Sequence, residues 1–130
     1  MANRLLPYTF IALALLSGCA STHNSATDGS NFLGGGYSVS KQREGIFYIS
    51  SSTNWAPWVN SLGARSSWRD RAGEACNSGK YKELEISESN HDHLPPIGIV
   101  RYIVTTRTGY AVCDSSNLSE EAALAIIRNR

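Results

Sequence analysis

The chain has 130 residues, with 12 Lys and Arg against 11 Asp and Glu, and 42% of its residues are hydrophobic. This is the length of one ordinary domain with a composition near the globular average, which excludes a disordered, collagen-like or coiled-coil chain. The balanced charge gives no electrostatic reason to expect nucleic acid as a partner.

The first twenty residues have the layout of a secretion signal. Arg4 is followed by a mostly apolar run from Leu5 to Leu16, and two small residues then precede Cys19. The apolar run is shorter than the roughly twenty residues that a membrane-spanning helix needs. A charged start, a short apolar core and small residues at the end predict a removable signal peptide over residues 1–18.

The end of this segment, Leu16-Ser17-Gly18-Cys19, resembles the lipobox of bacterial prolipoproteins. The resemblance implies cleavage between Gly18 and Cys19, a diacylglycerol on the Cys19 sulfur and an N-acyl chain on its amino group. Several acyl chains anchor a protein to a lipid bilayer far more firmly than one. In the resembled class an Asp after the Cys retains the protein at the inner membrane, and the Ala20 found here implies the outer membrane. We expect no cofactor besides these lipids.

Residues 20–36 are rich in Ser, Thr, Asn and Gly, with Phe32 and Leu33 as their only large apolar side chains. Such a stretch buries too little apolar surface to offset its ordering entropy. Residues 19–36 are therefore predicted to be the lipidated start of a flexible tether. Gly34–Gly36 could instead be a phosphate-binding loop, but no Lys-Ser or Lys-Thr pair follows it, which favours the tether.

Residues 37–130 are predicted to form one small α+β domain. We expect a three- or four-stranded, mostly antiparallel sheet packed against one long helix, with a short C-terminal helix. The β-rich runs 37–40 and 45–50 predict a hairpin or one interrupted strand. The long helix is expected over residues 62–78, because apolar residues recur there at helical spacing and Gly79 occupies a typical stop position. Its expected buried residues are Trp68, Ala72, Ala75 and Cys76.

Alternation over residues 81–88 predicts a strand after this helix. Leu84 and Ile86 would point to the core, and Glu83, Glu85 and Ser87 to solvent. Residues 89–96 are expected to form a loop, because they include two prolines.

The β-branched run 97–106 is the strongest predicted strand of the chain. A turn over 107–109 would separate it from a short last strand at 110–113. Ser119, followed by two glutamates, predicts the start of the C-terminal helix.

Two cysteines remain once Cys19 is assigned to lipid. An even remaining count in the oxidising periplasm predicts one structural disulfide, Cys76–Cys113. A redox-sensing or catalytic thiol is the alternative, but the chain has no Cys-x-x-Cys motif, and we favour the structural bridge.

His91-Asp92-His93 is the only cluster with potential for metal binding or acid–base chemistry. Without a third placed ligand, a solvated polar turn is the favoured interpretation and no metal site is predicted. The chain also lacks the Gly-x-Ser-x-Gly motif of a serine nucleophile. We therefore predict no catalytic residues and no enzymatic activity. A metal-dependent hydrolase around His91 and His93 is the alternative from the enzyme class.

Trp55, Pro57 and Trp58 form the candidate interaction loop. A pair of loop tryptophans can stack on sugar rings, contact a protein or touch a membrane interface. In the competing interpretation, one or both rings close the end of a small core.

The chain as a whole resembles the small envelope lipoproteins of Gram-negative bacteria. Besides the lipobox, the resemblance is carried by the stretches Gly34–Ser38, Arg71–Tyr81 and Gly109–Cys113. It implies a compact β-α-β domain behind the tether, and it supplies no catalytic residues. We expect a non-enzymatic accessory or interaction module that faces the periplasm. Cys19 would hold it to the bilayer, and a periplasmic or outer-membrane protein would be its partner. The alternative is a cell-wall or sugar-binding module that uses Trp55 and Trp58.

Overall fold

The computed structural model describes residues 22–29 and 31–129. The elements are α1 (Ser25–Asp28), β1 (Gly36–Arg43), β2 (Ile46–Ser52), α2 (Ser61–Ala75), β3 (Tyr81–Ile97), β4 (Val100–Cys113), a 3₁₀ helix (Asp114–Ser116) and α3 (Glu120–Arg128). The signal peptide, the lipobox and Cys19 lie outside the described residues. Within the described ranges, no helix is both long and apolar enough to cross a membrane.

The four strands form one antiparallel sheet in the order β1-β2-β4-β3. This confirms the predicted α+β class with an antiparallel sheet, and the first two β-rich runs form a hairpin. The single long helix is not confirmed. The helices are short, and the longest, α2, has 15 residues.

Helix α2 covers one face of the sheet with Trp68 at its centre. The Trp68 ring is fully buried against Ile49 and Ala111, and its Nε1 donates a hydrogen bond to the Ile49 carbonyl at 3.0 Å. The buried residues of the helix are Ala64, Ser67, Trp68 and Ala72. Small residues on both sides of the ring let the helix lie close to the strands.

The end of α2 is set by Asn77 rather than by the predicted Gly79. Asn77 adopts a left-handed conformation with φ 50°. Its amide donates to the Glu74 carbonyl at 3.1 Å, and the Ser78 amide donates to the Gly73 carbonyl at 3.0 Å. This pair of bonds is the Schellman motif, in which Asn can replace the more common Gly.

The opposite face of the sheet is covered at one end by α3. Its Ala123 and Ile127 pack into a cluster with Ile46, Leu84 and Val112. As predicted, Ser119 caps this helix, accepting a hydrogen bond from the Ala122 amide at 3.1 Å. The sheet therefore has apolar residues on both faces at this end.

Leu84 and Ile86 do not share a face of the sheet as predicted, because β3 contains a β-bulge at this point. Leu84 packs with the α3 cluster, whereas Ile86 packs with the Trp68 cluster on the other face. The pairing of β3 with β4 shifts register between Leu84 and Ser87, and Glu85 has a φ of 49°. One extra residue in a strand inverts the alternation that follows it.

The predicted loop at 89–96 and the predicted turn at 107–109 are both wrong, since β3 and β4 run through them. β3 is an edge strand, where Pro95 and Pro96 are tolerated because an edge residue need not donate to a neighbour. Gly109 continues β4, and Ile86 lies over it. A Cβ at Gly109 would come within 2.4 Å of the Ile86 Cδ1. This glycine therefore makes room for a side chain rather than a turn.

The stretch predicted to be a tether lies against the sheet over the part that the structure describes. The Tyr37 amide donates to the His23 carbonyl at 2.8 Å, and the Trp55 amide donates to the Leu33 carbonyl at 2.9 Å. Gly34 lies against Val104, where a Cβ would come within 2.6 Å of the valine Cγ2. These contacts cover the end of the sheet face that α3 leaves open.

Candidate functional site: an apolar end around a projecting hairpin

Exposed apolar side chains gather at one end of the domain. This end is where β1 begins, β2 ends and the β3–β4 hairpin turns. It holds every exposed large apolar residue of the described ranges except Val39; they are Phe32, Leu33, Trp58, Val59, Leu62, Leu94, Ile97, Ile99 and Val100. Scattered surface apolar residues are ordinary, but their concentration in one region marks an interaction site. We call these nine residues the apolar end.

The β3–β4 hairpin projects beyond the rest of the sheet. The last β2 residue, Ser52, pairs with Thr106, and the bridge between Ala56 and Ile103 extends this lateral support by a short distance. Past that bridge, in the part of the chain that the structure describes, β4 pairs with β3 alone. The paired strands continue for about 10 Å further at 3.4 Å per residue.

The outermost part of this hairpin is apolar. The turn is formed by Gly98, at φ 63°, and Ile99. Ile99 is 100% exposed and Ile97 is 71% exposed. We define the hairpin tip as Leu94, Ile97, Ile99 and Val100. Such exposure is unusual for a hairpin turn, where polar residues and glycine are the common choice.

The structure separates the two tryptophans of the predicted interaction loop. The Trp55 ring is half-buried and meets the Tyr102 ring edge-on, with centroids 4.7 Å apart. Trp55 therefore packs against the base of the β3–β4 hairpin. Pro57 and Trp58 are exposed, and 57% of the Trp58 surface is accessible.

Trp58 belongs to a second apolar surface, beside the hairpin. We define the Trp58 patch as Trp58, Val59 and Leu62. Asn60, inside this segment, fixes it to the sheet, because its amide donates to Thr105 Oγ1 at 2.9 Å. The Asn60 side chain also caps α2 by accepting from the Gly63 amide at 3.0 Å. The patch is thus a rigidly mounted surface rather than a free loop.

Phe32 and Leu33 complete the apolar end, on the other side of the hairpin. The Phe32 carbonyl lies 2.8 Å from His93 Nε2, which joins this segment to β3. Sequence reasoning missed both residues because their neighbours are small and polar. It also assigned the hairpin tip partly to a loop and partly to a strand. The available signal was the sequence Ile97-Gly98-Ile99, in which a turn glycine stands between two large apolar residues.

The His91-Asp92-His93 cluster is on a strand and its carboxylate is paired. Asp92 accepts two hydrogen bonds from Arg101, at 3.0 and 2.8 Å, and these hold the pKa of Asp92 below its ordinary value. His93 contacts the Phe32 carbonyl, and His91 is exposed. Among the described residues, no group of three or more His, Cys, Asp or Glu side chains is arranged to hold a metal ion.

Glu83, predicted to face solvent, lies instead on the α2 side between two arginines. Its carboxylate accepts from Arg69 at 2.7 Å and from Arg107 at 2.9 Å. Arg107 is almost fully buried, with its guanidinium 5.8 Å from the centre of the Trp68 ring. Burial raises the pKa of Glu83, but the hydrogen bonds and charges of the two arginines outweigh it and place this pKa below its ordinary value. A carboxylate held in the ionised form is not poised for proton transfer near neutral pH.

The predicted disulfide between Cys76 and Cys113 is confirmed, with the two Cα atoms 5.4 Å apart. It joins the residue that follows α2 to the last residue of β4. Both sulfurs are therefore bonded to each other, and neither is a thiol in this structure.

No family model, no curated protein and no solved structure matches this chain. The protein contains a small disulfide-linked α+β domain whose four-stranded antiparallel sheet extends into an apolar hairpin.

Proposed function

We propose that this protein is an outer-membrane-anchored lipoprotein that acts as a non-enzymatic interaction module of the cell envelope. Its domain faces the periplasm, a lipid on Cys19 anchors it, and a periplasmic or outer-membrane protein binds the Trp58 patch. The observation that carries this proposal is the exposure of three neighbouring side chains, 57% for Trp58, 50% for Val59 and 79% for Leu62. A soluble domain with no partner has little reason to keep them in water.

The contacts that fix the Trp58 patch to the rest of the domain support a role in binding. The Asn60 contacts fix its backbone, and the Ser61 hydroxyl donates to the Glu88 carboxylate on β3. A surface that is already ordered loses little conformational entropy when a partner binds. Tryptophan is also among the residues that most often dominate binding energy at protein interfaces.

A cell-wall or sugar-binding module is the second candidate. The exposed Trp58 ring favours it, since an accessible aromatic face can stack on a sugar ring. The Trp55 ring is engaged by Tyr102, so such a module would use one aromatic platform rather than two. Quenching of Trp58 fluorescence by muropeptides would support this candidate over a protein partner.

Photo-crosslinking in cells tests the proposed function. A photoreactive amino acid at position 58 of the full chain is expected to give one adduct of discrete mass in the outer-membrane fraction. The matched control carries the same amino acid at Glu44, in the β1–β2 turn at the opposite end, where the side chain is 91% exposed. Trp58→Ala is expected to weaken capture of the identified partner about 30-fold, the equivalent of about 2 kcal/mol for a central aromatic residue.

Two outcomes of this experiment would contradict the proposal. One is the absence of any adduct from position 58 while the protein remains in the outer-membrane fraction. The other is the same set of adducts from positions 58 and 44, because random collisions do not distinguish two ends of a domain.

A further inference from the structure

We propose that the hairpin tip inserts into the interfacial region of the same lipid leaflet that holds the Cys19 anchor. The inference rests on the proposed function, because it requires the lipid on Cys19. It goes beyond the proposed function because it assigns the lipid bilayer as the binding partner of the hairpin tip, which is separate from the Trp58 patch.

The described chain enters the domain from the side on which the hairpin projects. The His23 carbonyl accepts a hydrogen bond from the Tyr37 amide, and Asn24 forms a parallel β-bridge with Tyr37. The described chain therefore starts beside the beginning of β1, on the side of the molecule from which the hairpin projects. Cys19 precedes His23 by four positions and lies within about 14 Å of it even when that stretch is fully extended.

The hairpin extends beyond the beginning of β1 by more than the reach from His23 to Cys19. Gly36, at the beginning of β1, is level with Ser52 and Thr106 across the sheet. From Thr106 to Val100, β4 continues for about 20 Å towards the tip. With the Cys19 anchor at full reach, the tip passes the plane of the anchor by about 6 Å, which is within the depth of about 5–10 Å at which interfacial segments sit.

The chemistry of the hairpin tip suits a membrane surface. Residues 94–100 contain no charged side chain, and the first charges behind them, Asp92 and Arg101, neutralise each other. Ile97 pairs with Val100 across the turn, so backbone polar groups near the end of the hairpin bond to each other. Unpaired charges and unpaired backbone groups are the two main costs of entering a bilayer. The tip avoids the first of these costs over these residues, and the pairing of Ile97 with Val100 reduces the second.

The position of Phe32 agrees with this orientation. Its side chain is 81% exposed beside β3, where its carbonyl contacts His93. Phe is among the apolar residues that interfacial segments bury in the membrane surface. With the tip inserted, Phe32 lies near the membrane surface, and the Trp58 patch remains accessible to a protein in or beside the same membrane.

Depth-dependent fluorescence quenching tests the inference. The mature lipidated protein is reconstituted into phosphatidylethanolamine and phosphatidylglycerol vesicles whose acyl chains are brominated at defined positions, after its mass has verified acylation. The tip probe is Trp58→Phe with Ile99→Trp, and the matched control is Trp58→Phe with Glu44→Trp. Trp55 and Trp68 are retained in both proteins.

We expect the bromines to quench the tip probe and to leave the control unchanged. Quenching should be strongest for the shallowest bromines, as expected for a ring about 5–10 Å into the headgroup and acyl boundary. Adding Ile97→Asp to the tip probe should reduce the quenching, because it places a charge beside the probe at the membrane.

Failure of this inference is distinguishable from failure of the proposed function. If the acylated, vesicle-bound protein shows equal quenching of the tip and control probes, the tip does not enter the membrane. The proposed function is unaffected by that result. If the tip emission depends on the ratio of protein to lipid and not on bromine, a second copy covers the tip and the inference is overturned. Protein without acyl mass refutes both proposals together.

Discussion

Replacing Trp68 with Ala is expected to lower the free energy of unfolding by about 3–5 kcal/mol, the cost of deleting a large buried aromatic side chain. The ring is fully buried between α2 and the sheet, in a cluster with Ile49, Ala72 and Ala111. Because two of these neighbours are alanines, they cannot move into the space that the ring leaves. The substitution also leaves the Ile49 carbonyl without the indole donor.

Urea denaturation followed by far-ultraviolet circular dichroism measures this effect. Trp68→Phe is the matched control, because it keeps an aromatic ring and removes the hydrogen bond to Ile49. Its cost is expected to be smaller, about 1–3 kcal/mol. If Trp68→Ala and Trp68→Phe were equally stable, the ring would not be the main contact between α2 and the sheet.

Removing the disulfide is expected to lower the free energy of unfolding by about 4 kcal/mol, for cysteines separated by 37 residues. The bridge closes a loop that contains the whole of β3 and β4, and in the unfolded chain it restricts all of that segment. The double variant Cys76→Ser/Cys113→Ser and reduction of the wild-type protein should therefore shift the urea midpoint to similar extents.

The double variant also provides the control for the reducing agent. Its midpoint should not change when dithiothreitol is added, whereas that of the wild-type protein should fall. An unchanged wild-type midpoint under complete reduction would show that the bridge contributes little to stability.

Much of the fold could be predicted because local signals agreed with the tertiary structure. Ser119 is followed by the two glutamates of the first helical turn, and its side chain forms the expected capping hydrogen bond. The pairing of Cys76 with Cys113 followed from a count of the cysteines. The helical spacing placed Trp68 and Ala72 on the buried side of α2.

Other features depended on the arrangement of the strands, which no local pattern records. Pro95 and Pro96 indicated a loop, but they are accommodated because β3 is an edge strand. Glu83 looked like a solvated residue, yet buried Arg107 reaches it from the neighbouring strand. The bulge at Glu85 inverted the facing of Ile86, and its signal is a backbone conformation rather than a residue type.

The candidate site was predicted only in part, for a related reason. Trp58 was identified, but its separation from Trp55 depends on where Tyr102 lies. The β-branched residues of the hairpin tip are typical of a buried strand. They are exposed because β2 ends at Ser52 and leaves the tip without a neighbour on that side.

The lipid anchor on Cys19 is tested by the mass of the N-terminal peptide of the protein isolated from the outer-membrane fraction of a Gram-negative host that expresses the full chain. We expect a chain that begins at Cys19 and carries a diacylglycerol on its sulfur and an acyl chain on its amino group. A Cys19→Ala variant should lose the acyl mass and leave that fraction. A mature chain that begins elsewhere, or a Cys19 without lipid, would overturn the proposed lipid anchor.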